Sequence, residues 1–153
     1  MLRNKTRFAI AATLTVLVAA PLAAAVADTI TARVAGYRSL GSAFKNLNDE
    51  LRSGTPQPYV IQLSARQIRD VSKAQYGWFP AGSGPKPGVK TAAKPEIWSQ
   101  PAQFKAAQDA FSNQANAMMK AAQSGDIAAM RAQARQLGAT CSACHRTYRV
   151  ETR

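Results

Sequence analysis

The sequence predicts an all-α protein, an antiparallel four-helix bundle with a long crossover loop between its second and third helices. Three observations carry that expectation. Apolar residues recur at steps of three and four along four separate segments. No stretch alternates apolar and polar residues for long enough to suggest a sheet. Short links join the first two segments and the last two, while a long link rich in glycine and proline joins the pairs.

Residues 1–27 stand apart from the bundle and read as a cleaved secretory signal peptide. Arg3, Lys5 and Arg7 form a basic start, an apolar run covers 8–20, and Ala25-Val26-Ala27 supplies a small-residue cleavage pattern before Asp28. The apolar run is shorter than the roughly 20 residues of a membrane span, and no basic cluster directly follows to stop transfer. The mature domain is then 28–153, exported to the periplasm of a bacterium with no membrane anchor left after cleavage.

In the first helix, 30–51, Ile30, Val34, Tyr37, Leu40, Gly41, Phe44, Leu47 and Leu51 make one apolar or small stripe. Ser53-Gly54-Thr55-Pro56 ends it. The second, 59–75, is expected to turn Val60, Leu63, Ile68 and Val71 inward. Residues 76–95 carry Gly77, Pro80, Gly82, Gly84, Pro85, Pro87 and Gly88, which excludes a helix interior and gives the irregular crossover. These glycines do not match a phosphate-binding loop. The third helix is expected to start near Ser99 or Pro101 and to run through Phe104, Ala107, Phe111, Ala115 and Met118 to Ser124-Gly125. The fourth starts near Asp126 and carries Ile127, Met130, Ala134, Leu137, Cys141, Cys144 and Tyr148.

Composition narrows the chemistry. The chain has 153 residues with one His and two Cys, so sites needing several imidazoles or four thiolates are excluded. All three of those residues fall in Cys141-Ser142-Ala143-Cys144-His145, the C-x-x-C-H signature of c-type haem attachment. The two thiols would add to the haem vinyl groups as thioethers, and the adjacent imidazole would reach the iron. On a helix the three side chains span an arc of about 100°, so all can address one flat cofactor. Three other readings compete: an i,i+3 disulfide, a redox dithiol and a zinc site. A thioredoxin-like dithiol normally opens a helix after a strand, and zinc needs more ligands than this chain readily offers. The only histidine at the required position, in an exported chain, favours haem.

On these residues the sequence resembles the class II cytochromes c, and most closely cytochrome c′. Gly138 to His145 with Tyr148-Arg149 resembles the family's C-terminal G-x-x-C-x-x-C-H-x-x-Y-[RK] run, and Pro95-Glu96-Ile97-Trp98 its approach to the third helix. Arg33, Tyr37, Gly41, Phe44 and Leu47 are spaced as in its first helix. The resemblance implies one covalent haem c on Cys141 and Cys144, with His145 as the axial iron ligand. It implies that Arg33 lies near a haem propionate, where a guanidinium can pair with a carboxylate in two-point geometry. Val34 would then line the haem edge, Tyr37 would overlie the sixth coordination site in the distal pocket, and Arg149 would border the proximal pocket. Low-spin members carry a ligating methionine where Tyr37 stands, and the first two helices hold no methionine. Met118, Met119 and Met130 are expected to fill the core. A phenolate can ligate haem iron, but a neutral phenol that only screens the site is the favoured reading, and it would leave the iron five-coordinate and open to NO or CO.

The formal charge is +12, or +9 once Arg3, Lys5 and Arg7 leave with residues 1–27. Basic residues are scattered and no nucleic-acid motif accompanies them, so a surface that docks acidic redox proteins is the expectation rather than nucleic-acid binding. Lys86, Lys90 and Lys94 mark the loop, and Arg131 and Arg135 pair along the fourth helix. Family members often dimerise through their first two helices, which implies a homodimer here. The function expected is single-electron transfer with NO or CO binding. The alternatives are a low-spin, six-coordinate electron carrier of the same fold and a haem-free exported thiol redox protein. No second histidine, carboxylate pair or activated nucleophile suggests an enzyme.

Overall fold

A computed structural model describes residues 19–151, with side chains from Ala25 onward, so residues 1–18 of the predicted signal segment lie outside the described residues. Helix α1 is Ala19–Arg52, α2 is Pro58–Ala74, and a 3-10 turn over Gln75–Gly77 extends α2. After the crossover loop come a single-turn α3, Glu96–Ser99, then α4, Pro101–Ser124, and α5, Ile127–Tyr148. The long helices α1, α2, α4 and α5 form the expected bundle. Among the described residues, none of these helices is long and apolar enough to cross a membrane.

Local chemistry sets the helix ends. Pro58 and Pro101 occupy the first turns of α2 and α4, where a missing N–H costs nothing. Gly125, at φ 77°, ends α4 in the left-handed conformation. Asp126 immediately caps α5, accepting from the N–H groups of Ala128 (2.8 Å) and Ala129 (3.1 Å). The expected start of the third helix splits in two: α3 turns once, and Gln100 at φ −129°, ψ 58° breaks the chain before α4.

The core is built from Leu47 and Leu51 of α1, Ile61, Ala65 and Ile68 of α2, Phe111, Ala115, Met118 and Met119 of α4, and Met130, Ala134 and Leu137 of α5. All three methionines thus fill the core. In α2 the expected inward face is corrected. Val60 and Leu63 are 38% and 47% exposed and Val71 is half-buried, while Ile61, Ser64, Ala65, Ile68 and Ser72 are buried. The physical reason is that α2 packs against both α1 and α4, and small side chains let those helices approach. A count of large apolar residues misses that stripe. Arg131 is also reassigned. Its Nε donates to the Leu51 carbonyl at 2.9 Å, so it closes the C-terminal end of α1 rather than serving only as a docking charge.

The crossover loop is irregular but well tied. Ser83 is fully buried, and its hydroxyl donates to the Pro80 carbonyl at 2.8 Å, which also accepts from Trp98 Nε1 at 3.1 Å. Near its end, Ala93 pairs with Arg149 in a single antiparallel bridge. The Lys94 N–H donates to the Tyr148 carbonyl (2.9 Å) and the Val150 N–H to the Ala92 carbonyl (2.8 Å). That bridge fixes the exit of α5, and with it the segment carrying His145.

Candidate functional site

Within the bundle α1 packs on α2, α2 on α4 and α4 on α5, while α1 and α5 make the sparsest of these pairings. They meet at Phe44 and Gly138, where a Cβ on the glycine would lie 3.2 Å from the phenyl ring. One turn beyond Gly138 comes Cys141, and two turns before Phe44 comes Tyr37. The seam therefore closes at Phe44 and leads to Tyr37 on one wall and the cysteines on the other.

On the α5 wall, Cys141 and Cys144 are both free and partly buried. Cys144 packs against the second apolar cluster, formed by Ile97, Phe104 and Tyr148 with Phe79, Ala93 and Trp98 around it. Burial pushes both thiols up, Cys144 to about 11 with a further push from Cys141. A redox dithiol works through a depressed thiol pKa, so these surroundings count against the haem-free reading. His145 follows on the outer side of the helix. Partial burial and the nearby Arg149 guanidinium both lower its pKa, which favours the neutral imidazole that coordinates metals. Arg149 itself is exposed, and its N–H donates to the His145 carbonyl at 3.0 Å.

On the α1 wall, Tyr37 lies edge-on to Trp78, with ring centroids 5.0 Å apart, and 6.3 Å from Phe79. Its hydroxyl donates to Gln75 Oε1 at 3.3 Å. Burial pushes the phenol pKa well up, the neighbouring Cys144 and Cys141 add to that, and Arg33 opposes it. These surroundings favour the neutral phenol over the phenolate.

Arg33 is 4% exposed, unusual for an arginine. Its Nη1 donates to the Trp78 carbonyl (3.3 Å) and Ser83 Oγ (3.4 Å), and its Nη2 to the Ser83 carbonyl (3.2 Å) and Thr91 Oγ1 (2.9 Å). The guanidinium lies 4.8 Å from the Phe79 centroid and 6.0 Å from that of Trp98. Four of its five N–H groups are thus engaged with the crossover loop, and the pairing implied for a propionate has only the Nε hydrogen left unless loop bonds open. Val34 is 41% exposed and stands outside this aromatic cluster.

The structure thus gathers Arg33, Tyr37, Cys141 and Cys144 around one seam and sets His145 and Arg149 at its outer end. It adds Gln75, Trp78, Phe79, Trp98 and Gln108. Of these, Trp98 stands in the Pro95-Glu96-Ile97-Trp98 run, Trp78-Phe79 is an aromatic pair inside a glycine- and proline-rich loop, and the two glutamines carry no sequence signal. The donor set fits a covalently held haem: two unpaired, partly buried thiols one helical turn apart and an imidazole next to the second.

A family model described as Cytochrome C' matches residues 28–149. The cytochrome c' of Alcaligenes xylosoxydans xylosoxydans is 42% identical over 123 residues, which is 80% of this chain and 93% of that protein. The cytochrome c' of Pararhodospirillum photometricum is 30% identical over 118 residues, 76% of this chain and 92% of that one. Among solved structures, the nitric oxide complex of a cytochrome c prime variant from Alcaligenes xylosoxidans superposes with a TM-score of 0.75 at 27% identity. That match covers 83% of this chain and 97% of the other.

Proposed function

The chain belongs to the cytochrome c′ family, whose members carry covalent haem c, and from that premise we propose a periplasmic electron carrier with a five-coordinate, high-spin iron that also binds NO or CO. The observation that carries the coordination state is Tyr37: a partly buried phenol already bonded to Gln75, in surroundings that favour its neutral form, on a helix without methionine. With haem bound, its ring would crowd the distal side without supplying a ligand. Small neutral diatomics can enter when the ring moves, and larger or charged ligands are disfavoured by size and desolvation. The nitric oxide complex of the Alcaligenes xylosoxidans protein supports the same ligand here.

When bound, the haem supplies the ferric/ferrous couple and the metal at which a diatomic ligand is held. The chain's own residues do the rest. Cys141 and Cys144 would fix the macrocycle through thioethers, and His145 would hold the iron from the proximal side. Arg149 favours the neutral imidazole, and Arg33 with Phe79 and Trp98 closes the end of the seam against water. The protein carries an electron or a gas molecule and turns over no substrate.

Export rests on the pattern in residues 1–27; cleavage after Ala27 would leave α1 starting at Asp28, an acidic residue suited to a helix N-terminus. The net positive charge supports docking of acidic redox partners, whose electron exchange should slow as salt screens the attraction. Exposed Tyr59, Val60 and Leu63 on α2 support a homodimer through that face.

Mass spectrometry of the exported protein, with ferric and ferrous optical and EPR spectra taken with and without CO, tests this function. Covalent haem and a high-spin ferrous spectrum that changes with CO are expected. A low-spin ferrous spectrum indifferent to CO would establish the six-coordinate carrier instead.

A further inference from the structure

The tip of the Tyr37 phenol is tied to a buried carboxamide whose orientation is fixed. Gln75 is 3% exposed, and its Nε2 donates to the carbonyls of Ser72 at 3.2 Å and Gln108 at 3.3 Å. Gln108, 7% exposed, returns the bond, its Nε2 donating to the Gln75 carbonyl at 3.3 Å. A carboxamide has two donor hydrogens and one acceptor oxygen. Both Gln75 hydrogens are committed to carbonyls, so turning the amide over would set Oε1 against two carbonyl oxygens. Oε1 therefore faces Tyr37, and the phenol hydrogen points at Oε1 across 3.3 Å.

Packing keeps the phenol there. The Trp78 indole meets the Tyr37 ring edge-on, and it lies on the α1 backbone at Gly36, where a Cβ would come within 2.1 Å of it. Trp78 follows the Gln75–Gly77 turn directly, so the residue that accepts the phenol hydrogen and the residue that braces the ring move as one piece of chain. The ring cannot swing its hydroxyl elsewhere without leaving a buried acceptor unpaired, which is costlier than losing an exposed bond.

The identity of the ligand held beside a haem depends on such hydrogens. Bound O2 draws electron density onto its outer atom and is retained where a donor reaches it, whereas CO needs little such help. We propose that Gln75 is a specificity-determining positioning residue. By accepting the Tyr37 hydrogen it keeps the distal side free of that donor, so that CO and NO are held and O2 is not. This rests on the reading above that Tyr37 overlies the sixth coordination position.

The test uses the exported haem protein and CO as the probe. In the unsubstituted protein the infrared C–O stretch should be the same in H2O and D2O, since no exchangeable hydrogen touches the ligand; a shift on deuteration overturns the proposal without any variant. Gln75→Leu removes the acceptor, and its C–O stretch should fall and become sensitive to deuteration as the freed hydroxyl turns to the ligand. O2 should then dissociate about tenfold more slowly, the worth of one hydrogen bond. Adding Tyr37→Phe should abolish all three changes. Tyr37→Ala separates this inference from its premise. Faster CO binding in Tyr37→Ala with an unchanged stretch in Gln75→Leu would overturn the role of Gln75 alone. Unchanged CO binding in Tyr37→Ala would overturn the placement of Tyr37 and the proposal with it.

Discussion

Trp78 packs directly on Gly36: an ideal Cβ at that glycine would lie 2.1 Å from Cη2 of the indole and 2.4 Å from Cζ2. The crossover loop can therefore approach α1 closely enough to brace Tyr37 only because position 36 has no side chain. Gly36→Ala gains helix propensity of up to about 1 kcal/mol, but it must expel a ring already braced by Tyr37, and overpacking typically costs about 1–3 kcal/mol. The expected outcome is net destabilisation, read by urea unfolding, with a change in tryptophan fluorescence. Gly36→Ala combined with Trp78→Leu should recover most of the loss.

Arg33 holds the loop at four points. Arg33→Ala removes hydrogen bonds from a charged donor to partly or fully buried acceptors, and a loss of about 2–3 kcal/mol is expected in urea unfolding. The loosened loop should also become more sensitive to trypsin after the exposed Lys90, whose neighbour Thr91 is one of the Arg33 acceptors. Arg33→Lys should fall between, because an ammonium cannot span the Trp78, Ser83 and Thr91 oxygens with one planar fork.

Tyr37→Met places a thioether where the phenol now stands. If Tyr37 overlies the iron, the ferrous protein should become low-spin and six-coordinate and cease to respond to CO, while Tyr37→Phe should remain high-spin. Optical and EPR spectra decide it, and an unchanged spectrum in Tyr37→Met would show that the residue lies elsewhere.

The raised Tyr37 pKa predicts an alkaline dependence of stability. A folded-state pKa above the unfolded value of 10.0 means that the folded protein keeps its proton longer than the unfolded chain. The contribution is complete below pH 10 and is lost as pH rises from there toward the folded value, at no more than about 1.4 kcal/mol per pH unit. Urea unfolding at pH 9 and pH 11 should show a steeper alkaline loss in the unsubstituted protein than in Tyr37→Phe. Equal slopes would mean that the phenol is not buried as described.

The exposed apolar residues of α2 predict self-association. Leu63→Glu puts a charge in the middle of the Tyr59–Val60–Leu63 face, away from the core. It should leave thermal stability nearly unchanged and shift sedimentation toward the monomer. Identical sedimentation for the two proteins would remove this face as the interface.

The sequence by itself determined the all-α class, the four long helices, the crossover and the haem attachment run. These are legible because each is written locally. A 3.6-residue period needs only one helix, a proline or capping aspartate marks its own boundary, and the chemistry of C-x-x-C-H fits within five consecutive residues. It also marked Arg33 and Tyr37, through the resemblance of the first-helix run to that of the cytochromes c′. Tertiary structure alone decided what those two side chains touch. Arg33 reaches Ser83 and Thr91 across 50 and 58 residues, and Tyr37 reaches Gln75 across 38. Which face of α2 is buried was settled the same way, because Ser64, Ala65 and Ser72 matter through the helices that approach them and not through their own hydrophobicity. Gln75 and Gln108 carry no signal in the linear chain: a buried carboxamide is defined by the partners that satisfy it, and here those partners meet only when α2 and α4 pack together.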